Sequence, residues 1–208
     1  MKDKLLDVAI DHFGRMGFEG AATRAIASEA DTAMSSITYH FGGKEGLYLA
    51  CADRIAAQVR DRLGPLLEEV GAVQDGDREA ARNGLLVLLG GFARVMLDPA
   101  SERWARFVAR EQQAPSEAFE RLYRNVMKPV SDTVIALITV ARPDLNAQEV
   151  RATAVTLWGQ AIALRAARAS ASRIMQVPDL KAAASALLIE RVLENARCIL
   201  SSKPENAG

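Results

Sequence analysis

Apolar residues recur every three or four positions along almost the whole of this 208-residue chain. That is the period of an α-helix with one buried face, whereas a strand with one buried face alternates every second residue. No Asn-Gly hairpin turn between alternating segments occurs anywhere. The spacing therefore predicts an all-α protein of about nine helices and no sheet.

Capping and breaking residues set the expected ends of these helices. The predicted N-terminal caps are Thr23, Asp77, Asp98, the pair Asn146 and Glu149, and Asp179. Breaks are expected at Gly17, at a turn with positive φ at Asp31, at Gly42-Gly43 and at Pro129, and Gly64-Pro65 is expected to end or kink its helix. The helices so predicted are approximately 2–16, 23–30, 34–40, 44–63, 77–96, 99–113, 115–141, 146–175 and 179–200.

Composition excludes several classes of protein. The chain has 26 Lys and Arg against 26 Asp and Glu, so it is no generally basic nucleic-acid binder. Its two cysteines and two histidines have no metal-site or disulfide-scaffold spacing. The N-terminus lacks a signal-peptide core, and we find no apolar run of about 18 residues. We expect a soluble cytoplasmic protein with no membrane partner.

The most informative stretch is 23–48, where two short helices separated by a tight turn follow a longer one, as in a helix-turn-helix. On the second short helix, Met34, Ile37 and Phe41 share the face predicted to be buried. Ser35 and Tyr39 point the opposite way, flanked by Ser36, Thr38 and His40. Residues 32–44 contain no Asp or Glu, so this outward face can approach phosphates and base edges. Any electrostatic attraction to DNA must come from this local face, because residues 1–62 as a whole carry eight Lys and Arg against nine Asp and Glu.

This stretch resembles the DNA-binding domain of TetR-family regulators. The resemblance covers about residues 3–55 and includes Thr23-Arg24, Ile26-Ala27, Glu29-Ala30, Ile37 to Phe41 and Lys44-Glu45. It implies that the helix from Met34 to His40 enters the major groove and that Thr23 and Lys44 hold phosphates. It implies base contacts from Ser35, Ser36 and Tyr39, with Thr38 and His40 near the backbone. The DNA-binding candidates are Thr23, Arg24, Met34, Ser35, Ser36, Thr38, Tyr39, His40 and Lys44.

The sequence departs from the family pattern around the turn. Asp31 replaces the usual glycine, Thr32 an apolar residue and Ala33 the usual capping serine, which leaves Thr32 as the candidate cap. Thr38 stands where the family commonly has the first tyrosine of a Tyr-x-x-Phe run. For His40, packing at the helix end is as good an interpretation as a phosphate contact.

TetR-like regulators dimerise and bind an effector through a helical C-terminal domain. The last two long helices offer a dimer surface made of Trp158, Ala161, Ile162, Leu188, Val192, Ala196 and Ile199, with Leu187 beside them. The alternative is that both are core helices of one subunit.

The stretch 106–123 resembles the C-terminal domain of the CecR-like subgroup. A charged group follows an aromatic stripe at two places, which gives the effector-site candidates Trp104, Phe107, Glu111, Trp158 and Arg165. The alternative for the charges is an ion pair, or a long stem that carries its charge to water.

Together these features predict a ligand-responsive transcriptional regulator, with repression as the expected mode. A DNA-binding domain at 1–48 and an effector-binding and dimerisation domain at 49–208 are expected, with a composition shift near 64–76. A homodimer would place two recognition helices about 34–36 Å apart on a palindromic operator in double-stranded DNA. The alternatives are a helix-turn-helix protein that binds a protein partner and, with no catalytic motif to support it, a helical enzyme. We expect no cofactor and no metal.

Overall fold

The computed structural model describes residues 2–71 and 77–201. Within these ranges the backbone forms eleven α-helices and no strand, which confirms the all-α prediction. The helices are α1 Lys2–Gly20, α2 Thr23–Glu29, α3 Met34–Phe41, α4 Lys44–Gly71, α5 Arg78–Leu97, α6 Glu102–Gln113, α7 Glu117–Leu122, α8 Lys128–Ala141, α9 Ala147–Ala166, α10 Arg168–Ile174 and α11 Ala182–Ser201. A 3₁₀ turn, Pro99–Ser101, precedes α6, and a π-helical turn, Tyr123–Met127, precedes α8.

The helices pack as two compact units. Unit 1 combines residues 1–61 with 100–129, so the helix-turn-helix segment shares a core with α6 and α7. Unit 2 combines residues 62–99 with 130–208 and contains α5 and α8 to α11. The division at residue 48 expected from the sequence stays a prediction, while the packing of α6 against α1 is an observation the sequence did not provide.

Close contact between α1 and α6 organises unit 1. Gly14 on α1 faces α6 so closely that a Cβ there would lie 3.2 Å from the carbonyl oxygen of Arg103 and from the amide nitrogen of Phe107. Three residues later, Gly17 leaves helical geometry with φ of 76°. A residue other than glycine rarely adopts this φ, so the break expected at Gly17 is confirmed.

In unit 2, α5 packs against α9 and α11 and is the most buried helix. It is long and apolar enough to pass a composition test for a membrane span, contrary to our expectation that no run qualifies. Two-thirds of its apolar window is buried inside the protein, as in the core helix of a globular unit. The Phe92 ring of α5 stacks on Trp158 of α9 at 4.2 Å between centroids.

Several predicted helix ends are confirmed. The Asp77 side chain accepts the Ala80 amide and caps α5. Asn146 and Glu149 form the expected capping box at the start of α9. Asp31 has a positive φ of 58°, and Gly42 ends α3 in the left-handed conformation.

Other predicted ends are wrong. Thr23 is the first residue of α2 and gives no cap, because Ala22 holds that position. Thr32 does not cap α3, since its hydroxyl donates to the Ser36 hydroxyl instead. Asp179 accepts from the amide of Leu180 and pairs with Arg168, three residues before α11 begins.

The interruptions also differ in place. Helix α4 continues through Pro65 to Gly71, so Gly64-Pro65 does not end it. The predicted helix 115–141 is interrupted by the π-helical turn that ends just before Pro129. The predicted helix 146–175 divides at Ala167 into α9 and α10.

Candidate functional site

Helix α3 displays the face that the sequence predicted for DNA. Ile37 is 2% exposed and anchors the helix in the core of unit 1, whereas Tyr39 on the opposite side is 85% exposed. Ser35, Thr38 and His40 are exposed beside it, and the Tyr39 and His40 rings lie edge to face at 4.9 Å. The helix therefore offers hydroxyl groups and an aromatic ring to solvent.

Two members of the predicted arrangement lie elsewhere. Met34 was assigned to the buried stripe, but it is 51% exposed at the first turn of α3, where little packs over it. Ser36 is half-buried, and its hydroxyl oxygen accepts a hydrogen bond from the Thr32 hydroxyl at 3.0 Å. The sequence pattern gave the direction of each residue around the helix correctly, but it did not show that the first turn projects beyond its neighbours.

The turn between α2 and α3 is held at both sides. The Thr32 amide donates to the carbonyl of Ala27, and Lys4 of α1 pairs with the Asp31 carboxylate at 3.3 Å. Nε2 of His12 lies 2.8 Å from a Glu29 carboxylate oxygen, which ties α1 to α2. These contacts position α3 relative to the first two helices.

The residues expected at phosphates flank α3. Thr23 is half-buried at the start of α2, and Arg24 beside it is exposed. Lys44 begins α4, where its ammonium donates to the Glu19 carbonyl at 3.1 Å and lies 4.8 Å from the centroid of the Phe18 ring. Lys44 therefore has a backbone carbonyl and an aromatic ring as partners within the chain.

A buried carboxylate lies beneath this region in unit 1. Glu111 of α6 is 3% exposed, and one of its oxygens accepts the Tyr48 hydroxyl at 2.5 Å. The other oxygen accepts the amide and the hydroxyl of Ser116, at 3.2 and 2.8 Å. Burial, with the hydrogen bond to Glu111 and the charge of Glu111, raises the pKa of Tyr48 above its usual value. The phenol therefore stays protonated and remains a donor to the carboxylate.

Aromatic rings surround this hydrogen bond. The Tyr48 ring contacts Phe13 and Phe18 edge to face and Phe107 at a tilt, with centroid distances of 4.8, 5.1 and 4.6 Å. Phe107 is fully buried and Trp104 is 5% exposed. Both belong to the core of unit 1, and their role as effector contacts stays a prediction.

A cleft of about 570 Å³ opens beside Glu111, within unit 1. A volume of this size is typical of small-molecule sites. Its walls come from the end of α1, the first turn of α4 and the connection between α6 and α7. The lining residues are Gly17, Phe18, Glu45, Tyr48, Leu49, Arg110, Glu111, Gln113, Ala114, Ser116 and Glu117.

The two effector candidates of unit 2 have structural partners. Trp158 stacks on Phe92 and borders an apolar cavity of about 10 Å³, which is space for about one water molecule. Arg165 donates to the Asp98 carbonyl at 2.5 Å, just after the end of α5. Arg165 therefore has a hydrogen-bond partner inside its own unit. The structure thus assigns the five candidates to different units.

The predicted dimer surface is divided in a similar way. Ala161, Val192 and Ala196 are between 0 and 7% exposed and belong to the core of unit 2, as the core-helix alternative describes. Their place in a dimer interface stays a prediction. Leu188, Ile199 and Trp158 are half-buried. Ile162, at 44% exposure, remains available to a second copy, as do three exposed residues: Val155, Gly159 and Leu187.

Sequence reasoning missed Phe18, Tyr48 and Arg110. Phe18 directly follows the glycine that ends the first helical segment, and Tyr48 lies one turn after Lys44. Arg110 precedes Glu111, and its guanidinium donates to the carbonyls of Gly14 and Arg15 at 2.8 and 2.7 Å. The sequence could have shown that Tyr48 lies on the face of α4 next to the core. It could not show its partner Glu111 on α6, which is more than 60 residues away.

Family models match both parts of the chain. Residues 5–51 match the model for bacterial regulatory proteins of the tetR family. Residues 81–202, more than half of the chain, match the C-terminal domain of the HTH-type transcriptional dual regulator CecR. The chain belongs to the TetR family and has the CecR-type C-terminal domain. TetR-family members of this kind are transcriptional regulators and no enzymes, as the sequence predicted.

Individual relatives agree with this assignment. The HTH-type transcriptional dual regulator CecR of Shigella flexneri is 33% identical over 140 residues, which are 66% of this chain and 62% of the relative. The match therefore spans less than two-thirds of that relative's length.

Solved TetR-family structures show the same fold at lower identity. FadR of Bacillus subtilis in complex with stearoyl-CoA has a TM-score of 0.65 at 16% identity, covering 94% of this chain and 97% of that one. AibR in complex with isovaleryl coenzyme A and operator DNA has a TM-score of 0.69 at 11% identity, covering 92% and 95%. At these identities the likeness establishes the fold alone.

Proposed function

We propose that this TetR-family protein is a ligand-responsive repressor that binds a palindromic operator as a homodimer in the cytoplasm. The observation that carries the proposal is the outward face of α3, where Tyr39 is 85% exposed among hydroxyl-bearing neighbours and no acidic residue occurs from 32 to 44. A large exposed ring has no packing role in unit 1, whereas a base edge or a thymine methyl would cover it.

Charge supports a division of roles among the candidates. Arg24 and Lys44 are two of the cations near α3, and they suit phosphates on either side of the groove. Thr38 and His40 are exposed at the end of the helix and suit the backbone, while Ser35 and Tyr39 suit the bases. The half-buried Ser36, bonded to Thr32, supports the start of the helix rather than a base contact.

The experiment is a footprint and gel-shift titration on the DNA upstream of the gene. Tyr39→Ala should weaken binding to the operator about tenfold or more and leave non-specific binding nearly unchanged, because the ring reads bases. Lys44→Ala should weaken binding to all DNA and lower the slope of log K against log salt by about one. If neither variant alters the titration, α3 is not the recognition surface. Binding to a protein partner then becomes the better interpretation.

Dimerisation has its best support on α9. Val155 and Ile162, 72 and 44% exposed, lie two turns apart with the exposed Gly159 between them. Apolar and small residues at this spacing let a second α9 approach closely. On α11, Leu187, Leu188 and Ile199 remain available or half-available, whereas the buried members of that helix complete the core of unit 2.

Solved neighbours supply a precedent for ligand control, since FadR and AibR were captured with acyl-CoA molecules. In this chain the drug-sized cleft of unit 1 adjoins the first turn of α4, which begins with Lys44. An effector changes DNA affinity only if it binds the two conformations differently. Adding the inducing molecule should therefore shift the gel-shift midpoint.

A further inference from the structure

We propose that Lys4, in the first turn of α1, is a further phosphate contact of unit 1 and that Asp31 competes with DNA for its ammonium group. The inference rests on the proposed function, because it takes α3 as the helix that enters the groove. It adds to that function a carboxylate that lowers the sequence-independent part of DNA affinity. Both residues belong to unit 1.

The first turn of α1 lies beside α3. Nζ of Lys2 lies 5.5 Å from the centroid of the Phe41 ring, at the end of α3. Nζ of Lys4 donates to the Asp31 carboxylate at 3.3 Å, in the turn that precedes α3. Phosphates of both strands border a major groove that is about 12 Å wide. A cation beside a helix in that groove therefore faces the DNA backbone.

The local structure does not require an aspartate at position 31. Its φ is 58°, which glycine adopts without steric cost. The turn is closed by backbone bonds, since the Asp31 amide donates to the Ser28 carbonyl at 3.2 Å. The next amide, that of Thr32, donates to the Ala27 carbonyl at 2.9 Å. The Asp31 side chain itself is 90% exposed, so its pair with Lys4 contributes little to stability.

The charge of Asp31 is the property that matters beside α3. Residues 23–44 contain two acids, Glu29 and Asp31, and Glu29 lies 2.8 Å from Nε2 of His12. Asp31 instead lies next to a lysine that could neutralise a phosphate. Because residues 1–62 carry nearly equal numbers of acids and bases, one paired cation is a large part of the charge available to DNA.

Lys4 can change its partner without a change of fold. Its side chain is 55% exposed, and its ammonium group lies at the end of a flexible stem. A phosphate beside α3 could take this ammonium from Asp31. The carboxylate would then remain unpaired close to the phosphate, and the repulsion between the two anions opposes the exchange. Asp31 therefore reduces what Lys4 contributes to DNA affinity.

The experiment is a gel-shift titration of the full-length protein between about 50 and 200 mM salt, on the operator and on an unrelated duplex. Asp31→Asn should tighten binding to both duplexes by about threefold to tenfold, because phosphates occur in every sequence. The slope of log K against log salt should steepen by about one for each chain bound. Asparagine tolerates a positive φ, and Asp31→Gly should act in the same way.

The matched control is Asp53→Asn. It removes the same charge from an exposed aspartate that also pairs with a cation, Arg121 of α7, at 2.8 Å. Its affinity for either duplex should stay within about twofold of the parent's, because the released cation belongs to α7 and not to the first turn of α1. Equal gains from Asp31→Asn and Asp53→Asn would show that net charge alone matters, and would overturn the inference.

Lys4→Ala tests whether the gain comes through the lysine. In the Asp31→Asn background it should weaken binding by about tenfold, and in the parent by at most about threefold, because Asp31 already holds the ammonium there. The same factor in both backgrounds would mean that the two side chains act independently on DNA. The proposed competition would then be wrong.

The outcomes separate this inference from the proposed function. If Asp31→Asn binds as the parent does while Tyr39→Ala and Lys44→Ala weaken binding, the competition is overturned and the proposed function stands. If Tyr39→Ala and Lys44→Ala leave the titration unchanged, the proposed function fails. A gain confined to the operator would assign Asp31 to the reading of bases and would overturn its competition for a phosphate contact.

Discussion

At the scale of single residues, the hydrogen bond from the Tyr48 hydroxyl to the Glu111 carboxylate is central to the core of unit 1. The phenol satisfies a carboxylate that is 3% exposed, and its ring holds Phe13, Phe18 and Phe107 together. A buried charged acceptor that loses its donor costs more than an ordinary hydrogen bond. One side chain thus combines polar and apolar contributions to the same core.

Replacing Tyr48 by phenylalanine measures how much its hydroxyl contributes to the free energy of unfolding. Tyr48→Phe should lower the free energy of unfolding by about 1–3 kcal/mol, because it keeps the ring but leaves one Glu111 oxygen without its donor. Urea titration gives the number. The control Tyr123→Phe removes a hydroxyl from a ring that is 42% exposed, and it should change stability by less than about 0.5 kcal/mol. Equal effects of the two substitutions would contradict a special role for the Tyr48 bond.

The same residue predicts a dependence on pH. The pKa of Tyr48 is raised in the folded state, mainly by burial and then by Glu111. The stabilisation is complete below the unfolded pKa of about 10 and is lost as pH rises above it. The stability advantage of the parent over Tyr48→Phe should therefore shrink between about pH 9.5 and 11, by up to about 1.4 kcal/mol per pH unit. Urea titrations across this range check it, and a constant difference would show that the phenol is free to ionise.

At the scale of elements, the contact of α1 with α6 joins the helix-turn-helix to its support. Gly14 allows the two backbones to approach, and Arg110 fastens the carbonyls just before the break at Gly17. The carbonyls near the end of a helix lack partners within it, so a guanidinium is well suited to satisfy them.

A methyl group at Gly14 tests this contact. Gly14→Ala should destabilise the protein by about 1–3 kcal/mol, because the added Cβ meets the backbone of α6 at 3.2 Å and the helices must separate. Gly20→Ala is the matched control on the same helix, since its Cβ would meet only the Met16 Cβ at 3.4 Å. Thermal unfolding compares them. Should Gly14→Ala be as stable as its control, α6 can shift away from α1 at little cost.

The elements also show how far sequence reasoning reaches. Helical periodicity and local caps such as Asp77 and Asn146 were predictable, because both depend on residues within one turn of each other. The outward direction of Tyr39 followed from the same arithmetic. The bond from Tyr48 to Glu111 and the closeness of α1 to α6 were not predictable, since they depend on side chains distant in sequence. The burial of Ala161 and Val192 was missed because an apolar stripe has the same pattern in a core and in an interface.

At the scale of the whole molecule, association through α9 is the feature to test. Ile162→Glu should convert the proposed dimer to a monomer at micromolar concentration, because the charge would be buried at the interface without a partner. Light scattering coupled to size exclusion measures the mass. The matched control is Ala169→Glu, an exposed site on α10, which should keep the parent's mass. A parent that is itself monomeric would remove the dimer from the proposal.

The two cysteines offer a probe of folding for the whole chain. Cys51 is fully buried, its thiol lies 3.9 Å from the Leu6 carbonyl, and burial raises its pKa, so it should resist Ellman's reagent in the native protein. Cys198 on α11 is exposed and should react. The expected stoichiometry is one thiol per chain in native buffer and two in denaturant. Two rapid equivalents in native buffer would mean that the core around α4 opens readily.

Sharing of a core between distant segments limits how this regulator can be taken apart. Phe107 and Glu111 of α6 complete the interior around Phe13 and Tyr48. A fragment truncated after the first turns of α4 would expose the Phe13 and Tyr48 rings to solvent and leave the Tyr48 hydroxyl without its acceptor. A transfer of the helix-turn-helix segment to another protein would therefore have to include α6, although about fifty residues of sequence separate α6 from the start of α4.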